Sequence, residues 1–318
     1  MDAQDEAVVV QLPAGEDDEH SFTQEYLYAF ATQGEITNHI RTQALGLDRD
    51  RQAEILERWA LLQPVVMELA TTEAGLAETI LIEPVRAELQ DSVAAYLADP
   101  LYQRQFNLPY EIATVEADKL IAYQRQINDD HVGRLMERFG TNPTAENVLR
   151  ICVSPHREME PVLHLELNPQ SHSFSSRNSD VRFLGSFVRP LTDEDIALAE
   201  HGGVPTAAII AFVGYGAPMV NVLAIGQRMI LNNGFHRVIA LRRLGVERIP
   251  VVVQRVTNPQ LEVPPALGGL PRDYFVQHTR PPLVKDFFRQ GFTVKFRVRE
   301  RVKLVNLGVQ AAEQEVPA

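Results

Sequence analysis

The residues most able to do chemistry lie in and after a short polar loop, Asn232-Asn233-Gly234, which is followed by His236 and Arg237. The loop leaves a predicted strand and enters a predicted helix, so it presents backbone N–H groups at the positive end of the helix dipole. Gly234 lets the backbone approach a ligand closely, and the two basic side chains add charge-assisted donors. The spacing predicts a phosphate site. The alternative is an ordinary strand-to-helix turn with solvated basic residues.

Four predicted elements position this loop. Alternating and β-branched runs predict strands over residues 219–223 and 228–231, both before the loop, and over residues 249–253 after it. Between them, a helix is predicted to begin near Phe235, because apolar residues recur on one face with arginines between them. Gly245 lies where a left-handed C-terminal cap is expected.

The same residues resemble a known signature. Gly-Phe-His-Arg at 234–237, followed by Leu-Gly and by Ile-Pro-Val-Val-Val, is similar to the loop, helix and strand of the ParB/sulfiredoxin superfamily. Residues 115–132 resemble the strand, the turn and the helix that open the same domain. The resemblance implies an α+β fold with a mixed sheet and helices. It also implies a bound nucleotide, ATP or CTP, with Mg²⁺ as helper.

The resemblance implies a set of nucleotide contacts as well. The residues expected to hold the nucleotide are Asn233, Gly234, His236, Arg237, Gln124 and Arg125. The first four belong to the loop and the first turn of the helix. The last two lie in the upstream turn, which is near the nucleotide in the superfamily and could contact its base or its phosphates.

Two departures from the superfamily pattern limit the chemistry. Sulfiredoxin carries a nucleophilic cysteine between the glycine and the histidine, whereas this chain has Phe235 there and its single cysteine, Cys152, is distant in the sequence. ParB-type partition proteins carry a helix-turn-helix domain downstream, whereas a Pro/Gly-rich stretch follows here. Neither sulfinic acid reduction nor DNA partition is expected.

Carboxylates supply the candidates for catalysis. Asp129 and Glu116 lie near the upstream turn and could act as a general base for phosphoryl transfer. Asp129 could instead favour the start of a helix through the helix dipole. No metal site is predicted, because Cys152, His156, His164 and His172 match no compact ligand spacing.

The composition and charge of the chain limit the classes of protein to which it can belong. The chain has 318 residues, 45% of them apolar, and a net charge of −12, which argues against wholesale nucleic-acid binding. Residues 237–303 nevertheless carry 14 Lys or Arg against 5 Asp or Glu, so a local basic face is possible. No run reaches the length of a membrane span, and the acidic start does not resemble a signal peptide, so a cytoplasmic protein is expected.

The chain divides into four predicted regions. Residues 1–20 form an acidic disordered tail, and residues 21–108 form an all-helical region. Residues 109–256 form the ParB/sulfiredoxin-like domain, with an insertion at about 149–213 that could bind a protein partner. Residues 257–318 form a linker and a basic C-terminal segment.

Three functions remain open at this point. The first is an enzyme that uses ATP or CTP, either a phosphotransferase or a nucleotide hydrolase. The second is a nucleotide-responsive protein that binds a partner without catalysis. The third is a DNA-binding ParB-like protein that contacts nucleic acid through the basic C-terminal segment, a possibility that the charge balance does not favour.

Overall fold

The computed structural model describes residues 20–156, 158–168, 170–198 and 204–315, and in these residues the chain has a mixed α+β architecture. The predicted acidic tail lies outside the described residues, apart from His20. The strands are β1 (Ser21–Tyr26), β2 (Ile82–Pro84), β3 (Tyr110–Glu116), β4 (Gln126–Asn128), β5 (Leu163–Asn168), β6 (Ser171–Ser176), β7 (Val181–Pro190), β8 (Ala207–Tyr215), β9 (Asn221–Ile225), β10 (Arg228–Asn233), β11 (Arg248–Arg255), β12 (Ala266–Leu267), β13 (Leu270–Pro271), β14 (Val294–Arg299) and β15 (Lys303–Gly308). The helices are α1 (Gln33–Thr42), α2 (Arg49–Thr72), α3 (Gln90–Ala98), α4 (Pro100–Gln103), α5 (Asp129–Phe139), α6 (Ala145–Val153), α7 (Asp193–Leu198), α8 (Phe235–Arg243), α9 (Pro259–Glu262) and α10 (Arg272–Gln277).

The central sheet has five strands in the order β10-β9-β11-β3-β2. β9 and β11 run parallel, and the other neighbours are antiparallel. The Ile-Pro-Val-Val-Val run of β11 is buried on both sides, as expected for a strand in the middle of a covered sheet. α6 packs against β11, and α5 packs against α8. The predicted order of two strands, the loop, a helix and a third strand is confirmed by β9, β10, α8 and β11.

The sequence predicts an all-helical N-terminal region, but the structure shows strands in it as well as helices. α1, α2 and α3 confirm its helical part, but β1 pairs antiparallel with β14 and with β4, and β2 forms an edge of the central sheet. The apolar residues at the end of β1 were compatible with a helical spacing, and the strand's partner β14 lies at the other end of the chain. Local periodicity does not reveal such distant pairing, because tertiary contacts decide strand formation.

The predicted linker after Val256 is also packed rather than extended. Val263, Leu267 and Phe275 are buried in a cluster that includes β9 and β10 side chains. The basic run that follows forms β14, which buries Phe296 and Val298 and turns its basic side chains outward, as its alternation predicts. The C-terminal segment is therefore part of the same folded body.

The start of the predicted insertion, at about residue 149, lies within α6. α6 buries Leu149, Cys152 and Val153 in the main core, so it belongs to the central domain. Beyond α6, β5 and β6 form a three-stranded sheet with β15, while β7 and β8 form a separate two-stranded sheet, called the ribbon below. None of the described helices combines the length and the apolar character needed to cross a membrane.

A buried ion network fastens the C-terminal segment to α2. Arg280 and Asp286 are 1% and 0% exposed and pair through both guanidinium nitrogens, with Nη2 of Arg280 lying 2.6 Å from Oδ1 of Asp286. Glu73, just after α2, accepts from Nε of Arg280 at 3.0 Å and from Nζ of Lys285 at 3.0 Å. Burial raises the pKa of Glu73, but the hydrogen bonds from these cations outweigh it and lower the pKa to about 2.

We expect this carboxylate to make folding stability depend on acid. Because the folded-state pKa of Glu73 lies below its ordinary value of 4.5, its contribution is complete above pH 4.5 and is lost as the pH falls toward 2. Urea unfolding between pH 6 and pH 2.5 measures this loss, and we expect the Glu73→Gln protein to lose less stability over the same interval. A parallel loss in both proteins would show that other groups cause the acid sensitivity.

Candidate functional site

The loop has the strand-loop-helix geometry that the sequence predicts. β10 ends at Asn233, and α8 begins at Phe235. Gly234 between them has a φ of +95°, and a Cβ atom there would lie 2.8 Å from Cγ2 of Val220 and 3.2 Å from Nη2 of Arg237. Only glycine fits this backbone, since both the positive φ and the close approach exclude a side chain.

The upstream turn and the loop, predicted separately, lie side by side. The backbone N–H of Asn128 donates to Nε2 of His236 at 3.0 Å, and the hydroxyl of Tyr123 donates to the carbonyl of Asn232 at 3.0 Å. The rings of Tyr123 and Phe235 meet edge to face at 5.1 Å. Because Nε2 of His236 accepts a hydrogen bond, the neutral imidazole carries its proton on Nδ1. His236 therefore joins the two segments.

The two predicted arginine contacts are directed into the protein. Arg237 is buried, and its Nη1 donates to the carbonyl of Ile151 at 3.1 Å. Arg125 is buried as well, and it binds Oε1 of Glu35 at 2.6 Å and the carbonyl of Phe30 at 2.9 Å. The sequence predicted phosphate contacts at both positions, whereas the structure gives each guanidinium group protein partners.

The remaining predicted contacts also have partners within the chain. The side-chain amide of Gln124 donates to the carbonyl of Gln126 at 2.8 Å. The amide of Asn233 donates to the carbonyl of Ala217 at 2.7 Å, and its Oδ1 accepts from the N–H of Gly234 at 2.6 Å. These bonds fix the loop, and Asn233 still lines a cleft described below.

Both predicted carboxylates are held by cations. Asp129 bridges Nη1 of Arg243 at 2.7 Å and Nζ of Lys295 at 2.6 Å. Glu116 accepts from Nζ of Lys119 at 2.8 Å. In each case burial raises the pKa of the carboxyl, but the hydrogen bonds outweigh it and leave the pKa below its ordinary value. A carboxylate with a lowered pKa is a weak general base.

A polar cleft of about 610 Å³ adjoins the loop through Asn232 and Asn233. Its volume lies in the range of small-molecule sites. The wall combines amides, arginines and apolar side chains contributed by the central sheet, by the segment after α4 and by the base of the ribbon. The residues that line it include Arg104, Gln105, Phe106, Asn107, Met159, Arg182, Leu184, Tyr215, Asn221, Asn232, Asn233 and Gln254.

The floor of the cleft is an ordered amide network. Oδ1 of Asn221 accepts from Nδ2 of Asn232 at 2.8 Å and from Nε2 of Gln254 at 2.9 Å. Its own Nδ2 donates to the carbonyl of Met219 at 3.2 Å. Asn221 and Gln254 are almost fully buried, so these bonds compensate for the cost of removing the amides from water. The network holds the amide groups in fixed orientations.

Two arginines lie on the walls of the cleft. Arg104 is exposed, and Arg182, at the base of the ribbon, pairs with Asp180 while about half of its side chain remains exposed. Phe106 and Leu184 provide apolar surface between the polar groups. This combination can contact a flat aromatic ring, hydrogen-bond its edge and balance negative charge.

Sequence reasoning missed most of these residues. A signal was present at Asn221 and Gln254, which lie at the ends of the apolar runs of β9 and β11. A buried polar residue requires a partner, so such a position often marks a structured polar site. Arg104 and Arg182 carried no comparable signal, because the tertiary structure alone brings the segment after α4 and the ribbon to the cleft.

Comparisons with protein-family models, with curated proteins and with solved structures find no match to this chain. The resemblance to the ParB/sulfiredoxin superfamily therefore depends on the motifs themselves. Among the described residues, no group of three or more His, Cys, Asp or Glu side chains is arranged to hold a metal ion.

Proposed function

We propose that the cleft binds a nucleotide, ATP or CTP. The observation that carries the proposal is the convergence of ordered amides and two arginines on one cleft beside the strand-loop-helix junction. Side-chain amides pair with the donor and acceptor edges of nucleobases. Arginine binds phosphate oxygens through two parallel hydrogen bonds. The two kinds of group together match the two ends of a nucleotide.

Each part of the proposed ligand has a matching group on the walls of the cleft. Asn232 and Gln254, held through Asn221, face the base edge, and the exposed Leu184 offers an apolar surface for the base. Arg104 and Arg182 hold the phosphates. The superfamily-based assignment of phosphates to Asn233, Gly234, His236 and Arg237 remains a second proposal, and it requires Arg237 to leave the carbonyl of Ile151.

Mg²⁺ fits this proposal as a companion of the triphosphate. Magnesium usually keeps several waters and is held by one or two carboxylates together with phosphate oxygens. Asp180 is the candidate carboxylate: its Oδ2 accepts from the N–H of Gly216 at the edge of the cleft, and its Oδ1 would exchange Arg182 for the metal as Arg182 binds phosphate. The phosphates would supply the other ligands.

Binding without turnover is the favoured form of this function. The lowered pKa values of Asp129 and Glu116 make both residues weak bases, which favours a nucleotide-responsive protein over a phosphotransferase or hydrolase. The DNA-binding alternative gains no support from β14. Lys295 on that strand already pairs with Asp129, and Arg297 lies 3.7 Å from Asp130, so nearby carboxylates offset the basic face.

Isothermal titration with ATP, CTP and their non-hydrolysable analogues, with and without Mg²⁺, tests the proposal. We expect one nucleotide to bind, and we expect Arg104→Ala to weaken binding by about 1.5–3 kcal/mol, because a hydrogen bond to a charged group is lost. Arg104 is exposed, so this change should leave the fold intact. Arg49→Ala, an exposed arginine at the start of α2, is the matched control and should bind normally.

The outcomes separate the remaining alternatives. No binding of any nucleotide, or equal binding by the Arg104→Ala protein, contradicts the placement in the cleft. Weaker binding after Arg237→Ala alone would favour the loop as the phosphate site, provided that the urea midpoint is unchanged. Release of inorganic phosphate from the bound nucleotide would establish turnover and contradict the favoured form of the function.

A further inference from the structure

The ribbon exposes apolar side chains on both of its faces. β7 and β8 pair at nine positions, and Phe187 and Phe212 stack at 5.6 Å on one face. Six large apolar side chains of the ribbon are between 46% and 69% exposed: Phe183, Leu184, Phe187, Val188, Ile209 and Phe212. An isolated two-stranded sheet is at best marginally stable in water, so this arrangement requires further strands or a cover.

The two edges of the ribbon differ in how well they are protected against the addition of a further strand. The β7 edge carries Arg182, Arg189 and Pro190, a register shift before Gly185, and a neighbouring strand, β15. These features block strand addition in natural sheets. β8 reads Ala-Ala-Ile-Ile-Ala-Phe-Val-Gly-Tyr, with no charge and no proline, and among the described residues its outer edge pairs with no strand. The β8 edge is therefore the one open to a further strand.

We propose that β8 pairs with β8 of a second copy of this chain. Antiparallel pairing about a two-fold axis at Ala211 sets Ile210 opposite Phe212 of the partner and Ile209 opposite Val213 of the partner. The sequence around Ala211 is thus self-complementary in size and polarity. The result is a four-stranded sheet, β7-β8-β8-β7, with a protected β7 edge on each side.

The composition of β8 fits an interface of this kind. Pairing at this edge would satisfy the outward backbone N–H and C=O groups of β8 and bring Ile209, Ile210, Phe212 and Val213 against the same residues of the partner. The apolar side chains of β7 lie one strand away, on the faces of the four-stranded sheet. The interface has no need for another protein to supply complementary charge, because β8 itself is uncharged.

The ribbon also connects this interface to the cleft. Arg182, Leu184 and Tyr215 belong to the ribbon and line the cleft at its base. In the dimer the two ribbons form one sheet, so each cleft wall is stiffened by the pairing. The inference is independent of the nucleotide, since the ribbon and its open edge are present whatever occupies the cleft.

Analytical ultracentrifugation over a range of concentrations tests the pairing. We expect a dimer, and we expect Ile210→Glu or Phe212→Lys alone to raise its dissociation constant by roughly 100-fold or more, because each change acts twice across the two-fold axis. The double variant Ile210→Glu/Phe212→Lys should restore the dimer, since each new carboxylate then faces an ammonium group of the partner. Leu61→Lys, at an exposed apolar site on α2, is the control and should not alter association.

A crosslink gives a second, independent measurement. Residues directly opposed in an antiparallel pair have Cα atoms about 4.5–5.5 Å apart, within the range of about 4.4–6.8 Å that a disulfide spans. The only native cysteine, Cys152, is fully buried, so Ala211→Cys should form an intermolecular disulfide on mild oxidation. Leu61→Cys should not. A monomer at all concentrations, or no crosslink at Ala211, overturns the proposal and leaves the ribbon to another partner.

Discussion

Asp286→Ala is expected to lower the free energy of unfolding by about 3–5 kcal/mol, because it leaves a buried guanidinium group without its main partner. Asp286 accepts from Nη1 and Nη2 of Arg280 at 2.8 and 2.6 Å and from the backbone N–H of Leu283 at 2.7 Å. Arg280 cannot reach water, because its side chain is 1% exposed. Urea denaturation followed by circular dichroism measures the loss.

Asp273→Ala is the matched control for this prediction. Asp273 is largely exposed, and its carboxylate lies 3.6 Å from Nε of Arg272, so its removal should cost less than about 1 kcal/mol. Replacing both partners, Asp286→Leu with Arg280→Met, should cost less than the sum of the single changes, because no charge is then left buried. A loss below about 1 kcal/mol for Asp286→Ala would mean that the pair does not support the fold.

Gly234→Ala is expected to destabilise the protein by about 2–4 kcal/mol and to distort the loop at the cleft, since it combines a strained φ with overpacking. The added Cβ would lie 2.8 Å from Cγ2 of Val220 and 3.1 Å from its Cα. The backbone atom cannot rotate away, so the loop itself must shift. The measurements are the urea midpoint and titration with ATP and CTP beside the native protein.

Gly226→Ala separates the effect of the strained φ from the effect of overpacking. Gly226, in the turn between β9 and β10, has a φ of +59°, but a Cβ atom there would meet nothing within 4 Å. We expect it to cost about 1–2 kcal/mol, the strain of a left-handed residue alone. Equal losses for the two glycines would show that the contact with Val220 contributes nothing, and that the loop has room that the structure does not indicate.

The structure also changes what is expected of Arg237, in the first turn of α8. Its position in the motif predicts a phosphate ligand, whose removal should weaken binding without unfolding the protein. Its bond to the carbonyl of Ile151 predicts that stability falls as well, because a buried carbonyl loses its partner. Arg104, exposed on the wall of the cleft, provides the cleaner test.

The sequence by itself determined the local elements around the loop. Residues 219–253 carry strong periodic signals and a glycine whose backbone only glycine adopts, so β9, β10, α8 and β11 followed from the chain. Asn128 also caps α5, accepting from the N–H of His131 at 2.8 Å. Signals of this kind depend on neighbours within a few residues, which the sequence displays directly.

Only the tertiary structure decided how these elements are used. β1 is a strand because β14 lies beside it, Arg125 is buried because Glu35 reaches it, and the residues after Val256 are packed because β9 and β10 offer an apolar face. The cleft arises in the same way, from Arg104, Asn221 and Arg182, which are distant in the sequence. The physical reason is that a polar side chain has many possible partners along the chain. Folding selects the one that satisfies its hydrogen bonds and charge when water is removed.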